Sequence, residues 1–515
     1  METVTLKSAS GKWVMISAIL ASSMAFIDST ALNVVLPALQ KSLNASSADL
    51  FWLLNAYLLM LASLILIGGA MGDKLGRKKI FMLGILIFII GSAACGFAPT
   101  VILLITFRII QGIGGALMIP GSLSLISSSI NEKERGKAIG TWSAFTTVVT
   151  MGGPIIGGAL ADAGLWRYIF FINVPIGIAA FLMLAFRVKE HFDKSKDRAL
   201  DYFGAATIAF GLAAITFGFL RFPALGFKNW QVYISLIAGL MLLILFLFVE
   251  KKSKHPMMPL QLFANKTFSG ANLLTFFLYA GLGAGMLFLS LNLVQVQGYT
   301  QLQSGLTFLP FTLLMISFAR FAGSLADKFG SRLFLILGPA IAGSGLLILS
   351  FVGQTNGAQA YWTTFFPGIL IFGLGMSITV APLTATVMGS AANQLSGTAS
   401  GVNNAMTRIA NVFANAVFGA LAVLFFSNAL QSQIKDIQLP NEVKQKVIQQ
   451  AANFGNAKIP SEINSVDKLS IENIYHQSFI VAYKNIMRLS ALLAFLGALM
   501  SMLFINIPVK KHNTA

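Results

Sequence analysis

The stretches GAMGDKLGRK, at residues 69–78, and GSLADKFGSR, at residues 323–332, fit one pattern, G-x-x-x-D-K-x-G-x-[KR]. Each follows an apolar stretch long enough to cross a membrane, and the two copies lie about half the chain apart. A basic loop that only orients the chain would explain the lysines and arginines, but not an aspartate and glycines in register in both copies. The repeat therefore predicts two homologous half-bundles of membrane helices.

The repeated stretch combines residues that suit a breakable contact between helices. Glycine permits close approach of two helices, an aspartate accepts hydrogen bonds at a helix N-terminus, and basic residues hold a loop at the lipid headgroups. We expect this gating loop to latch and release, with Asp73 closing the cytoplasmic side. The residues assigned to it are Gly69, Asp73, Lys74, Gly76, Arg77, Lys78, Asp327, Lys328, Gly330 and Arg332.

The composition is that of an all-α polytopic membrane protein. Of the 515 residues, 56% are hydrophobic and only 10% are charged, which leaves too few polar groups to cover a soluble surface. The apolar residues form fourteen blocks of about 20 residues, the length of a membrane-spanning helix. We therefore predict 14 transmembrane helices in three parts. These are a six-helix bundle at residues 1–187, two linking helices at 188–267 and a second six-helix bundle at 268–515.

The basic residues predict the orientation. The net charge is +18, and most lysines and arginines of short loops fall on the side that carries both termini. This distribution predicts cytoplasmic termini in the cell membrane and contact with anionic lipids, and it argues against nucleic-acid binding. A long outer loop is expected at 427–485, with a helix at 439–454 that forms a solvated cap, and a substrate-gathering role is the alternative. The single cysteine, Cys95, excludes an intramolecular disulfide.

Asp28 is the only acid well inside a predicted span. It lies about 22 Å along its helix, and Arg108 lies about 12 Å along a helix that runs the other way, so both fall in the outer half of the bilayer. An arginine favours the ionised carboxylate when it is near and releases it when it is far, which would make a proton switch. A static buried ion pair between two helices is the alternative.

Further polar residues inside the spans indicate a cavity. Arg408 lies in a span with three asparagines, a pattern typical of a polar lining, whereas Arg320 could face either the cavity or the headgroups. Because these arginines outnumber the acid, we expect a neutral or anionic substrate in preference to a dication, with a hydrophobic monocation as the alternative. The cavity candidates are Asn33, Gln111, Asn403, Asn404, Arg408 and Asn411.

Five motifs, in this order, resemble those of the major facilitator superfamily, and most closely its fourteen-span drug:proton antiporters. They are FIDSTALNVVLP at 26–37, the gating loop at 69–79, RIIQGIG at 108–114, GPIIGG at 153–158 and WRYIFFINVPIG at 166–177. The fourth is similar to the antiporter motif, with Gly153, Pro154, Gly157 and Gly158. Val149 stands where that motif usually has another glycine, which puts close packing at that turn in question.

The resemblance implies a monomeric transporter that exports small amphipathic compounds, including drugs, in exchange for protons by alternating access. It implies proton coupling by Asp28 and Arg108, with the proton gradient as energy source and no cofactor or metal. A same-fold importer or lipid mover, and a non-transporting sensor, are the alternatives. The chain has no nucleotide-binding signature, no paired carboxylates and no nucleophile motif, so ATP-driven transport and enzymatic activity are not expected.

Overall fold

The structure, a computed structural model, describes residues 4–188, 190, 201–254, 256, 258–355, 357–391, 396–435, 440–450, 454, 457 and 465–506. Inside the helices some side chains also fall outside this description. Those of Asp73, Lys74, Arg320 and Asp327 are among them, so the predictions that concern these four side chains lie outside the described residues.

The described chain is helical, as the composition predicts. The helices of the first part of the chain are α1 (Ala9–Leu43), α2 (Ser47–Leu75), α3 (Arg77–Phe97), α4 (Val101–Ser129), α5 (Glu132–Asp162), α6 (Tyr168–Phe171), α7 (Asn173–Arg187), α8 (Tyr202–Leu225) and α9 (Trp230–Lys252). The later helices are α10 (Lys266–Gln295), α11 (Gln301–Leu306), α12 (Leu309–Phe329), α13 (Ser331–Leu349), α14 (Phe365–Gly389), α15 (Ser396–Ile434), α16 (Asn441–Gln449) and α17 (Ser465–Phe504). Short 3-10 helices cover Leu260–Ala264 and Gly357–Ala360.

The helices are long and apolar enough to make this a multi-pass membrane protein. Thirteen segments of the described chain meet the length and hydropathy of a membrane span, with α6–α7 and α11–α12 each contributing one. Helix α5 is the remaining one of the fourteen predicted spans, and its 31 residues extend about 46 Å along the helix axis. Its apolar part starts late because the helix begins with charged residues. The predicted all-α fold is therefore confirmed, with a span count that agrees closely.

Helix packing follows the repeat. In the first half, α1 packs on α5, α4 and α7, while α2 and α3 pack on α4. In the second half, α10 packs on α17 and α15, and α13 and α12 pack on α14. Helices α8 and α9 pack on each other, and α8 also contacts α2 and α15, so this pair sits beside the junction of the halves. The division of the chain at 187 and 267 stays a prediction.

The segment predicted as a long outer loop contains more helix than expected. Helix α15 continues to Ile434, and α17 begins already at Ser465. Hydropathy marks where apolar residues stop, whereas a helix continues as long as its backbone hydrogen bonds do, so polar helix ends were predicted as loop. Within this segment α16 follows Pro440, and Val447 and Phe454 are fully buried. The cap is thus partly packed into the bundle.

Candidate functional site

Asp28 of α1 and Arg108 of α4 form an ion pair inside the first half. The Arg108 Nη1 lies 2.5 Å from Asp28 Oδ2 and 2.7 Å from Gln111 Oε1. The Gln111 Nε2 donates in turn to Asp28 Oδ1 at 2.9 Å. Asp28 is 0% and Arg108 1% exposed. The carboxylate therefore has one cation and one amide as partners, with water excluded from all three groups.

The network continues from Gln111 to a third and a fourth span. Gln111 Nε2 also donates to Ser92 Oγ of α3 at 3.2 Å, and Asn173 Nδ2 of α7 donates to the same oxygen at 3.0 Å. The Ser92 hydroxyl donates to the Phe170 carbonyl at 2.8 Å. Hydrogen bonds therefore connect Asp28 of α1 with α3, α4 and α7.

Glycines bring the helices close enough for these contacts. A Cβ on Gly91 of α3 would lie 2.7 Å from the Gln111 backbone nitrogen. A Cβ on Gly112 of α4 would lie 2.6 Å from the Tyr57 carbonyl oxygen of α2. Because the backbones approach this closely, the Tyr57 ring reaches the guanidinium of Arg108, 4.4 Å from its centroid.

One N–H of Arg108 is left without a partner. Its Nε is buried and forms no hydrogen bond in the described structure. A buried ion pair stabilises only when both charges are present, and removing one leaves the other uncompensated. Asp28 and Arg108 therefore depend on each other for their burial, while the Tyr57 ring and the unused N–H give Arg108 a further contact and a free donor.

The antiporter motif lies where α5 meets both α1 and the second half. A Cβ on Gly153 would collide with the Thr30 hydroxyl, and one on Gly157 would lie 2.9 Å from the Ala31 carbonyl. A Cβ on Gly158 would lie 2.5 Å from the Gln301 carbonyl of α11. The motif is therefore a close-packing surface.

The proline of the antiporter motif and the position of its usual further glycine are also packed against other residues. The Pro154 carbonyl sits against Gly305 of α11. Val149, which replaces the usual glycine, is partly buried and packs against the core. A larger side chain is accommodated at that turn, whereas the three glycines of the motif have no such room.

An uncharged cavity of about 110 Å³ lies between the two halves. It is bounded by α1 and α5 from the first half and by α10 and the start of α12 from the second. Its lining combines short polar side chains with methionine and phenylalanine. The lining residues are Thr30, Asn33, Val34, Thr150, Pro154, Met286, Phe308, Phe311 and Thr312.

The other cavity candidates occupy different places. Gln111 is buried in the Asp28 network and is not among the residues lining the 110 Å³ cavity. Asn403 Nδ2 donates to Thr275 Oγ1 at 2.7 Å and so joins α15 to α10. Asn411 faces Gly283 of α10, and Asn404 is exposed.

Arg408 has a different setting from these asparagines. It is partly exposed, and it forms no hydrogen bond or ion pair with the residues that the structure describes.

The two gating loops share one backbone conformation. Gly76 ends α2 and begins α3 at φ 108° and ψ 124°, and Gly330 ends α12 and begins α13 at φ 87° and ψ 143°. Positive φ is strained for residues with a Cβ, so the sharp turn explains the glycine in both copies. Arg332 donates to the Met502 carbonyl at 2.9 Å, and Lys328 stays exposed.

The first loop is additionally tied to the end of α7. Lys78 Nζ donates to the carbonyls of Ala185 and Val188, at 3.3 and 2.7 Å, where the helix leaves carbonyls unpaired. The Glu190 carboxylate accepts the backbone N–H groups of Lys78 and Lys79, each at 3.2 Å, at the N-terminus of α3. These reciprocal contacts hold α3 and α7 together within one half.

Besides the packing of α2 on α15, the halves meet at one end of the bundle, here called the closed end, where α1 contacts α10 and α11 and α5 contacts α11. The Asp162 carboxylate accepts the backbone N–H groups of Gln301 and Leu302 at 2.8 and 2.9 Å. Gln295 Nε2 donates to Gln40 Oε1 at 2.9 Å. Each of these hydrogen bonds joins one half to the other.

Apolar contacts complete the closed end. The rings of Phe51 of α2 and Phe288 of α10 lie 6.0 Å apart. Phe454, from the segment after α16, lies 6.5 and 6.3 Å from them. The Ser290 hydroxyl donates to the Asn33 carbonyl at 3.3 Å. The predicted orientation would place this end on the outer face.

Sequence reasoning missed several of these residues. Ser92, Asn173 and Tyr57 join the Asp28 network, and Asp162 joins the halves. Polar side chains inside apolar blocks were a usable signal for Ser92 and Asn173. Asp162 gave no such signal, since it stands at the C-terminus of α5, just beyond the apolar block.

Comparison with known proteins supports this architecture. The family model described as Major Facilitator Superfamily matches residues 18–415. The "Multidrug resistance protein Stp" of Mycobacterium tuberculosis is 30% identical over 429 residues, which cover 82% of this chain and 78% of that protein. The "Tetracenomycin C resistance and export protein" of Streptomyces glaucescens is 28% identical, and the match covers 89% of this chain and 85% of that protein. The "Methylenomycin A resistance protein" of Bacillus subtilis is 30% identical, with coverages of 80% and 88%.

Solved structures share the fold at low sequence identity. A bacterial homologue of the human lysosomal transporter Spinster, in an inward-facing and unoccupied conformation, gives a TM-score of 0.67 at 19% identity. That match covers 98% of this chain and 99% of the other. A D-xylose–proton symporter gives a TM-score of 0.58 at 15% identity, with coverages of 97% and 98%. The chain therefore belongs to the Major Facilitator Superfamily, in its drug:proton antiporter-like branch.

Proposed function

We propose that this chain is a proton-coupled exporter of small amphipathic compounds, a multidrug efflux transporter that works by alternating access. The observation that carries the proposal is the buried network of Asp28, Arg108 and Gln111. A charge at membrane depth costs at least ~2.5–3.5 kcal/mol on insertion scales, so an acid placed there needs a role. A proton carrier driven by the proton gradient is the role that fits.

Asp28 would alternate between two states. Ionised, it holds Arg108 and Gln111 as the structure describes. Protonated, it attracts Arg108 less, and the guanidinium is free to move against the Tyr57 ring. Hydrogen bonds through Ser92 would pass this change to α3 and α7. The static ion pair remains the alternative, and the experiment below separates the two.

The relatives support export as the direction. The names of three of them speak of multidrug resistance, of tetracenomycin C resistance and export, and of methylenomycin A resistance. Phe308, Phe311 and Met286 in the lining of the uncharged cavity give it the apolar surface that an amphipathic substrate would contact.

The proposed cycle gives the closed end a role. The contacts of Asp162 and the antiporter glycines would seal the outer side, so the cavity is reached from the cytoplasm, as in the inward-facing neighbour. In the opposite state the gating loops would latch the cytoplasmic side through Asp73 and Asp327. We further propose a monomer in the cell membrane, with cytoplasmic termini and basic loops on anionic lipids.

Everted membrane vesicles test the proposal. Energised wild-type vesicles should accumulate the neutral dye N-phenyl-1-naphthylamine, and dye addition should discharge the pH gradient reported by acridine orange. Asp28→Asn should abolish both signals. Asp49→Asn is the matched control, because Asp49 caps α2 at Ser46 and lies outside the network, so it should retain both.

Each other outcome identifies a rival. Full proton-coupled transport by Asp28→Asn would rule out Asp28 as the proton carrier and would leave the static ion pair as its role. Dye that leaves energised everted vesicles would indicate an importer. Wild-type vesicles that move neither this dye nor its anionic and cationic analogues would favour the sensor.

A further inference from the structure

The cavity between the halves is lined by uncharged residues. Among the described residues that bound it, none has an ionisable side chain. Its polar side chains are those of Thr30, Asn33, Thr150 and Thr312. An ion that entered this cavity would lose its hydration and meet no opposite charge, which is costly. The cavity therefore favours molecules without a net charge.

The three threonine hydroxyls of the lining already have acceptors within the protein. Thr30, Thr150 and Thr312 each donate to a carbonyl one turn earlier in their own helix, at 2.7, 2.6 and 2.8 Å. The Thr30 hydroxyl also lies 3.2 Å from the Thr150 carbonyl, which lacks its helical N–H partner because Pro154 stands four residues later. Since a hydroxyl has one hydrogen, these residues offer a bound molecule only oxygen lone pairs.

Asn33 is the exception in this lining. It is partly exposed, and its side-chain amide forms no hydrogen bond with the residues that the structure describes. Its backbone carbonyl, by contrast, accepts the Ser290 hydroxyl at 3.3 Å. An asparagine amide carries N–H donors and a carbonyl acceptor side by side. Asn33 is therefore the lining residue that can offer a bound molecule both a donor and an acceptor.

Asn33 and the Asp28 ion pair lie on different faces of α1. Asn33 follows Asp28 by five residues, which is about 7.5 Å along the helix axis and about 140° around it. Asp28 accordingly contacts α4, whereas Asn33 borders the space between α5, α10 and α12. The cavity and the ion pair thus share a helix but no side chain, so selection by Asn33 can be tested without disturbing Asp28.

We propose that Asn33 selects neutral substrates that present a hydrogen-bond donor next to an acceptor, as primary carboxamides and lactams do. The proposal names the substrate class of the exporter proposed above and rests on that function. The Asn33 carbonyl oxygen accepts the substrate N–H, and the Asn33 NH2 donates to the substrate carbonyl, so two hydrogen bonds form between the two amides. Met286, Phe308 and Phe311 contact the apolar remainder.

Three naphthalenes of nearly the same size test this selection. 2-Naphthamide carries the donor and the acceptor, 2-acetonaphthone has a methyl group in place of the amide NH2, and 2-naphthoate is the anionic analogue. Their dissociation constants are measured by equilibrium dialysis against purified protein in phosphatidylcholine nanodiscs without a pH gradient, and empty nanodiscs give the lipid background. The variants are Asn33→Leu and, as matched control in the same lining, Thr312→Val.

Asn33→Leu should weaken binding of 2-naphthamide about 10- to 100-fold, because two hydrogen bonds are lost and the compound's own amide is left unpaired. 2-Acetonaphthone loses one hydrogen bond and should weaken about 3- to 10-fold. Thr312→Val removes a hydroxyl whose hydrogen is already used, so both neutral compounds should change by less than about threefold. 2-Naphthoate should bind the wild type at least about tenfold more weakly than 2-naphthamide.

Thermal unfolding separates selection from a structural role of Asn33. Because the amide has no partner among the described residues, Asn33→Leu should unfold at the wild-type temperature or above it. A lower unfolding temperature with equal losses for both neutral compounds would assign Asn33 to packing and overturn the proposal. It would also be overturned by wild-type affinity of Asn33→Leu for 2-naphthamide, by wild type that does not bind 2-naphthamide, or by wild type that binds 2-naphthoate as tightly.

The result is separable from the proposed function, because binding is measured without a gradient. Binding of 2-naphthamide that depends on Asn33, in a protein whose vesicles move no protons, would overturn the exporter and keep the selection. Vesicles that couple dye export to protons, while Asn33→Leu binds 2-naphthamide like wild type, would keep the exporter and overturn the selection.

Discussion

Each half of the bundle carries an arginine deep in a span, and the two differ in their partners. Arg108 lies 2.5 Å from Asp28, is 1% exposed and shares a hydrogen bond with Gln111. Arg408 is partly exposed and forms no hydrogen bond or ion pair in the described part of the chain. The ring of Tyr57 lies over the Arg108 guanidinium, 4.4 Å from the ring centroid, and adds a further contact on that side.

The difference shows that the two halves of one repeat hold their buried charges differently. In the first half, Asp28 balances the charge of Arg108 within the protein. In the second half, Arg408 has no ion-pair partner among the described residues. The shared architecture of the halves does not require the same chemistry at their centres.

The largest expected effect on stability comes from removing Arg108, whereas removal of Arg408 should have little effect. Arg108→Gln leaves the buried carboxylate of Asp28 unpaired and should lower the free energy of unfolding by about 3–5 kcal/mol. Arg408→Gln leaves no acid unpaired and should change it by less than about 1 kcal/mol. Thermal unfolding of the purified proteins, followed by tryptophan fluorescence, measures both.

The double variant Asp28→Asn with Arg108→Gln is the control for the first of these. It removes both charges and should recover most of the lost stability without restoring proton coupling. Similar losses in Arg108→Gln and Arg408→Gln would mean that both arginines are paired within the protein, and the contrast between the halves would then be wrong.

An intermediate effect is expected where the halves touch. Gly158→Ala would place a Cβ 2.5 Å from the Gln301 carbonyl, whereas the Cβ of Gly152→Ala, on the same helix, would meet Ile156 Cδ1 at 3.7 Å. Overpacking costs about 1–3 kcal/mol, so Gly158→Ala should shift the population away from the closed end by about 5- to 150-fold. Gly152→Ala should leave it unchanged.

Maleimide labelling reports that shift. A cysteine replaces Met286 in the cavity lining on a Cys95→Ser background, and a membrane-impermeant maleimide is applied from outside the cell. We expect faster labelling in Gly158→Ala but not in Gly152→Ala, which would show that the two halves separate at the closed end. Equal labelling rates in the two glycine variants would show that the contacts at the closed end do not control the transport cycle.

The smallest effect should be the same in both halves. Gly76 and Gly330 share a positive φ, of 108° and 87°, so Gly76→Ala and Gly330→Ala should each lower stability by about 1–2 kcal/mol. Gly353→Ala is the control, since an added Cβ there meets nothing within 4 Å. Unfolding temperatures that fall for only one of the two loop variants would show that the repeat is not equivalent in structure.

Much of this could be predicted from local patterns. Apolar blocks predicted the spans, because transfer of a helix into lipid is nearly a sum over its residues. The depth of Asp28 and Arg108 along their helices predicted that they lie at one level. The ends of α15 and α17 were missed because polar helical turns beyond the bilayer carry no apolar signal.

Residue chemistry by itself determined the class of the protein, the number of spans, the repeat and the candidates for charge pairing. Only the tertiary structure decided that Gln111 and Ser92 belong to the Asp28 network, that Asp162 joins the halves, and that Arg408 forms no ion pair with any residue that the structure describes. The physical reason is rotation about the helix axes. Sequence sets how deep a side chain lies, but contacts between many helices set the direction in which it points.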